Sequence, residues 1–398
     1  MKWWFGRPLY VKITIMLILG IVAGAALGEK ASLLKPLGDV FVNLLKMLIV
    51  PLVFFTISAG VTKMESPKEL GRIGTGIMLY YVVTSTLAAA VGTLMGLVIR
   101  PGLGAQGLLA GTVETKPASF SFVNQIVSWV PTNPVQAMAE MNMMHIIIFA
   151  VLVGVVVLLL GERAKTVRTV LAEGSDLMIR MTEIIMELAP YGIFALVAVM
   201  VGTLGGKMLA AVGKFLVADY LSMVTLLVLV YPTILKFVAK KNVLAFYRDI
   251  SPVIVVAATT TSSAATLPVS LRIAKERLGL PEKVYGFTLP LGNTVNMDGA
   301  ATAFALIGVF GADLFGVPIT PALVVQFVFL GLVLSIGAAG VKGAGIVMSS
   351  VLLQTLGMPL SLVPVLAAIW PLIDPGHTVC NNTGDLVGTV VVSSRVTD

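Results

Sequence analysis

Residues 373–385 read I-D-P-G-H-T-V-C-N-N-T-G-D, between the apolar runs V-L-A-A-I-W-P-L and L-V-G-T-V-V-V. Asp374 and Asp385 lie about three helical turns apart. Asp374, Thr378, Asn381 and Asp385 follow an i, i+4, i+7, i+11 spacing and so share one stripe of a helix. In a soluble protein such a stripe would face water. In a membrane it is costly, and it faces a water-filled cavity or an ion. The choice between the two decides the fold.

Composition makes the choice. The chain has 398 residues, of which 57% are hydrophobic and 12% charged, with a mean hydropathy of +0.99. Soluble domains carry about a quarter charged residues. The expected fold is therefore all-α and polytopic. One cysteine, Cys380, excludes an intrachain disulfide and cysteine-rich metal sites. Two histidines, His145 and His377, leave little for zinc or for histidine-based catalysis. The formal charge of +7 needs no nucleic-acid partner, because loops on one membrane face account for it.

Apolar spans are expected at about 8–28, 37–63, 74–100, 142–161, 167–203 and 209–239, each long enough for a bilayer core of about 30 Å. The first run, 13–27, has charged flanks and no clear small-residue cleavage site, so it is expected to stay in the protein. Residues 1–7, with Lys2, Arg7, Trp3, Trp4 and Phe5, suit an interfacial helix. Pro190 should kink the fifth span. Residues 101–131, rich in Gly, Thr, Ser and Pro, read as an external loop. With the N-terminus inside, the inner loops gather clusters such as Lys63, Lys68 and Arg72, and Arg272, Lys275, Arg277 and Lys283. The outer loops hold only Lys30, Lys35, Lys116 and Lys207. That asymmetry predicts a cytoplasmic N-terminus.

Beyond Arg248 the pattern changes. Residues 251–271 are apolar with a small, hydroxylated middle, A-A-T-T-T-S-S-A-A-T, between two basic clusters of the same side. A segment that stays apolar yet returns to its own side is a re-entrant hairpin. Residues 284–309 then cross, interrupted by L-G-N-T-V-N-M-D-G-A-A. A second hairpin pattern follows at 321–356, with S-I-G-A-A-G-V-K-G-A-G at its centre. One crossing separates the hairpins, so they enter from opposite sides as an inverted repeat. Interrupted segments at matching places point to a transporter site. Amides freed at the breaks can hold an anion and freed carbonyls a cation.

Four motifs carry a resemblance to a known family. They are T-S-S-A-A-T-L-P at 261–268, N-M-D-G-A-A at 296–301, G-V-K-G-A-G at 340–345 and D-x-x-H-T-x-x-N-x-x-G-D at 374–385. In this order and topology the chain resembles the glutamate transporter family, the dicarboxylate/amino acid:cation symporters, for which inverted repeats are established. The resemblance implies eight transmembrane helices plus two re-entrant helical hairpins, a homotrimer in the plasma membrane, and an elevator motion of a transport domain against a scaffold. It places scaffold helices one and two in 1–73, transport-domain helix three in 74–100, and the external loop with scaffold helices four and five in 101–208. The rest of the transport domain, 209–398, then holds helix six, a first hairpin at 244–274, a broken seventh helix at 283–310, a second hairpin at 320–358 and an eighth helix at 361–394.

The resemblance also implies site residues. One sodium site would use Asn381, Asp385 and the carbonyls of Gly292 and Asn296. A second would use Asn296 and Asp298 with Tyr81, Thr84 and Ser85. A third would use Thr294, Met297, Ser335, Ile336 and Ala338, mainly through carbonyls. Sodium is a hard cation that prefers oxygen ligands, so a structural role suits the Met297 sulfur better than a ligand role. Asp374 matches the position that holds a substrate α-amino group, and a buried carboxylate does need a cation. Thr378 and Asn381 match further contacts to an amino acid. Ser262, Ser263 and the segment with Val341 and Gly343 match contacts to its α-carboxylate.

Three departures bear on the substrate. The family arginine that clamps a side-chain carboxylate is His377 here, the assisting threonine is Ala300, and the proline at the second hairpin's tip is Lys342. Arginine offers a fixed bidentate fork that histidine cannot reproduce. A neutral amino acid is therefore expected over an acidic one, with sodium-coupled symport over proton coupling. An acidic amino acid or a C4-dicarboxylate is the alternative. An ion channel would need a continuous lined pore. An intramembrane hydrolase using Ser262 or Ser263 with His377 lacks the G-x-S-x-G elbow.

Overall fold

The broken helix expected near residue 296 forms the centre of the protein. In the computed structural model, which describes residues 6–7, 9–62, 71–109, 127, 130–141, 143–338 and 344–396, α-helices form almost all of the described chain. They are α1 (Leu9–Leu27), α2 (Lys35–Thr62), α3 (Gly71–Ile99), the short α4 (Pro134–Ala139), α5 (Met143–Leu160), α6 (Lys165–Glu187), α7 (Ala189–Val199), α8 (Gly205–Thr225) and α9 (Tyr231–Phe237). The C-terminal half adds α10 (Val243–Thr260), α11 (Ser263–Glu276), α12 (Glu282–Val295), α13 (Asp298–Leu314), α14 (Pro321–Gly337), α15 (Ala344–Thr355) and α16 (Val363–Val396). Among the described residues, seven helical stretches are long and apolar enough to cross a membrane. Exposed Leu19, Val22, Val98, Leu159 and Val228 present apolar surface outward. That surface suits lipid, since lipid gives no reason to bury it. The chain is a multi-pass, all-α membrane protein.

Helix ends follow local chemistry. Pro190 stands in the first turn of α7, and α6 ends at Glu187, so the expected kink is a break. A second interruption was not expected: a π-helical turn, Leu226–Val230, separates α8 from α9. Pro232 follows in the first turn of α9, where its missing N–H costs least. The buried side of α6 is Leu171, Ser175, Met178, Thr182 and Ile185, at helical spacing.

Packing sorts the helices. α2 packs on α5, α6 and α7, and α1 packs on α7. α3 instead packs on α13, α14, α8 and α16. Every residue of α13 is buried. Its closeness to α3 depends on Gly92, where an added Cβ would sit 2.1 Å from the Thr302 carbonyl oxygen. Arg100, just past α3, reaches the buried Asp313 near the end of α13, Nη2 to Oδ1 2.6 Å.

The interruptions fall close to the expected places. α10 and α11 pack together across two residues: Thr261 in the left-handed region at φ 51° and Ser262 in extended backbone. α11 has 14 residues, about 21 Å, and is too short to cross alone. α12 stops at Val295, and Asn296 and Met297 are non-helical before α13 begins. α14 and α15 pack together, and their connection, with Val341, Lys342 and Gly343, lies outside the described residues. So do residues 1–5, most of the 101–131 loop, and Lys63 and Lys68.

Candidate functional site

The non-helical pair Asn296–Met297 brings α12, α13, α3 and α16 to one point. Its backbone cannot continue the helix, so Asn296 turns its side chain inward, fully buried. Asn296 Nδ2 donates to Asp385 Oδ1 at 2.9 Å. Thr84 Oγ1 lies 3.4 Å from Asn296 Oδ1. Asp298, the first residue of α13, accepts from Ser85 Oγ and from Tyr231 Oη, each at 2.8 Å. Tyr81 Oη donates to the Thr288 carbonyl at 2.8 Å and flanks Gly292, whose backbone also faces Asp385. The residues matched to the second sodium site, with Asp385 and Gly292 from the first, therefore stand together, and Tyr231, missed in the sequence, joins them.

Asp298 and Asp385 are both buried, and among the described residues neither forms an ion pair. A carboxylate in a membrane interior without a countercharge is strongly disfavoured. Two of them, met only by hydroxyls, an amide and nearby carbonyls, make a set of oxygens suited to a small hard cation. The third expected group is looser. Met297 and Ala338 line one cavity. Ser335 turns its hydroxyl back to the Leu332 carbonyl at 2.7 Å, and Ile336 is 36% exposed. Thr294 is half-buried beside Gly60.

That cavity, about 30 Å³, is the second part of the site. The polar stripe of α16 supplies Asp374, His377, Thr378 and Asn381, and Thr261, Ser263 and Ala300 face them. Asn381 ties the cavity to the carboxylate cluster. Its Oδ1 accepts from Gly299 N at 2.8 Å, and its Nδ2 lies 3.2 Å from Met297 Sδ. Ser263 is buried and accepts from Asn382 Nδ2 at 3.2 Å. Ser262, expected beside it, instead caps α11 by accepting from Ala265 N at 3.3 Å, and it is not in the cavity lining. A serine just before a helix meets an orphan amide this way. Val341 and Gly343 lie outside the described residues, so their expected contact to a carboxylate is not placed.

His377, which stands where the resemblance has an arginine, lines the cavity and has a buried partner. Its Nε2 lies 2.9 Å from Asp219 Oδ2 and 3.1 Å from Oδ1, with Asp219 on α8. The ring also lies 5.7 Å from Trp370, which stacks on Phe304 at 6.0 Å. Asp219 was missed in the sequence, although a lone acid in the apolar run of 215–230 is itself a signal of function or pairing.

Comparison with known proteins supplies context. The family model described as the sodium:dicarboxylate symporter family matches residues 9–395. A C4-dicarboxylate transport protein 3 from Ralstonia nicotianae is 33% identical over 400 residues, 98% of this chain and 88% of that protein. A proton/sodium-glutamate symport protein from Geobacillus stearothermophilus is 29% identical, over 96% of this chain and 93% of that protein. A C4-dicarboxylate transport protein from Laribacter hongkongensis is 29% identical, over 97% and 89%.

Proposed function

The chain belongs to the sodium:dicarboxylate symporter family, and on that premise we propose that it is a sodium-coupled symporter of a small α-amino acid, neutral in preference to acidic. Its family transports rather than catalyses. The observation that carries the reading is the pair of buried, uncompensated carboxylates, Asp298 and Asp385, joined through Asn296 and Asn381 to a cavity that holds Asp374. Sodium entering the cluster supplies the missing charge. It also fixes Asn381 and the Asn296–Met297 backbone, which face the substrate. Binding of cation and of substrate are thereby linked, and linkage acts equally in both directions. Asp374 takes the substrate ammonium, which a plain dicarboxylate lacks.

In this reading the protein is a homotrimer in the plasma membrane with a cytoplasmic N-terminus. The group α1, α2, α5, α6 and α7 is the scaffold. α3 and the helices from α8 onward move as the transport domain. α10–α11 and α14–α15 are re-entrant hairpins from opposite sides, which completes eight crossings. Sodium at the proposed positions, Tyr81, Thr84, Ser85, Gly292, Thr294, Asn296, Met297, Asp298, Ser335, Ile336, Ala338, Asn381 and Asp385, loads before the domain crosses.

A second reading has the relatives' names on its side: symport of glutamate or a C4-dicarboxylate, with protons in place of some or all sodium. One experiment separates the two. The purified protein is melted with and without sodium against serine, alanine, aspartate and succinate, since a ligand of the native state raises the melting temperature. Sodium-dependent stabilisation by a neutral amino acid supports the first reading. Stabilisation by succinate, or by aspartate alone, replaces it with the second.

A further inference from the structure

Asp219 and His377 are 0% and 2% exposed, and they meet at the position where this family's arginine would face a substrate side chain. The charge of such a pair follows from its proton count. An imidazolium on a carboxylate sums to zero, an imidazole on a carboxylate to minus one, and an imidazole on a protonated carboxyl to zero. A net positive charge would need both groups protonated side by side in a buried site, which desolvation disfavours.

We propose that Asp219 is a specificity-determining counter-anion. It cancels positive charge at residue 377, and the side-chain pocket therefore takes a hydroxyl or carboxamide in preference to a carboxylate. The proposal rests on the α-amino-acid reading above and goes beyond it in naming the side-chain class.

Geometry supports it independently of charge. With Nε2 taken up by Asp219, the ring has Nδ1 left, and Nδ1 is buried without a hydrogen-bond partner among the described residues. The indole Nε1 of Trp370, also lining the cavity, is likewise buried and unpartnered. Two single polar atoms on one wall suit a group that makes one or two ordinary hydrogen bonds. They do not reproduce the planar fork that a carboxylate prefers. Among the described residues, the charged and titratable groups lining the cavity are Asp374 and His377. A substrate carboxylate would enter beside Asp374 and Asp219 without a net cation. Lys342 lies outside the described residues, and the experiment gives it an outcome.

The test is competition binding of serine, alanine and aspartate, in sodium at one pH, to the native protein, Asp219→Asn, His377→Arg and the double variant. Serine should bind the native protein more tightly than aspartate. His377→Arg alone should gain little for aspartate, because Asp219 takes up the guanidinium. The double variant should gain about tenfold or more for aspartate, with alanine nearly unchanged, a selectivity shift that loss of a merely structural residue would not produce. The proposal is overturned if His377→Arg alone binds aspartate as tightly as the double variant. Aspartate binding the native protein more tightly than serine also overturns it and assigns the cation to Lys342 or another group. If Asp219→Asn fails to fold, His377→Arg decides alone: tight aspartate binding refutes, its absence supports. If no amino acid binds the native protein, the functional reading fails, and the proposal with it.

Discussion

Gly292 sits where an added methyl group has no room. A Cβ there would lie 2.4 Å from both Asp385 Oδ1 and Tyr81 Oη, well inside contact distance. Gly292→Ala must therefore push Asp385 or Tyr81 aside. Forcing a methyl group into a packed interior costs about 1–3 kcal/mol. If Asp385 holds sodium, much of that cost falls on the ion-bound state. A loss of about 1.4 kcal/mol weakens sodium about tenfold. At a sodium concentration about 100 times the native dissociation constant, stabilisation by sodium is about 2.7 kcal/mol, and the variant would keep about 1.4 kcal/mol of it. Gly286 on the same helix is the matched control: a Cβ there meets nothing within 4 Å. Gly286→Ala should leave the sodium response intact. It should also hold or slightly raise basal stability, since alanine favours helix over glycine by about 1 kcal/mol. The assay is the shift in melting temperature with sodium, read against each variant's own sodium-free value. An unchanged sodium shift in Gly292→Ala, together with lowered basal stability, would refute Asp385 as a sodium ligand while leaving the packing argument intact.

Other outcomes follow from the same geometry. Asp385→Ala and Asp298→Ala should each fold and lose sodium-dependent substrate binding, measured by titrating substrate at two sodium concentrations. Tyr231→Phe removes one of the hydroxyl donors to Asp298 and should cost about 1.5–3 kcal/mol, the worth of a hydrogen bond to a charged group, read from thermal stability with and without sodium. Asp374→Asn should weaken an amino-acid substrate by orders of magnitude, since leaving one partner of a buried ion pair costs about 3–5 kcal/mol. Unchanged binding would show that the ammonium is held elsewhere. Arg100→Ala removes the partly exposed guanidinium that pairs with buried Asp313, leaves that carboxylate without its ion-pair partner, and should destabilise by about 2 kcal/mol after allowance for solvent screening, with the sodium shift unaltered.

The parts legible in the sequence were those whose signal lies within one element. The stripe of Asp374, Thr378, Asn381 and Asp385 needed only helical spacing, and α16 keeps it. The break at Asn296–Met297 and the hairpin turn at Thr261–Ser262 were marked by small and polar residues inside apolar runs. Ser262 and Ser263 show where that signal ends. Both fit a serine-rich tip, yet a serine at the cap position is drawn to the helix amides, so Ser263 alone faces the cavity. The third sodium group rested on matched positions rather than on charge, and nothing in its residue types forces them together. Asp219 marks a deeper limit. Its cost in an apolar span was visible, but its partner lies 158 residues away, joined only by the packing of α8 against α16. The same histidine reads differently with and without that partner: alone it is a stand-in for arginine, and paired it is one half of a buried unit that a net positive charge would suit poorly. A substitution at a specificity position can therefore be interpreted only together with the buried charge opposite it.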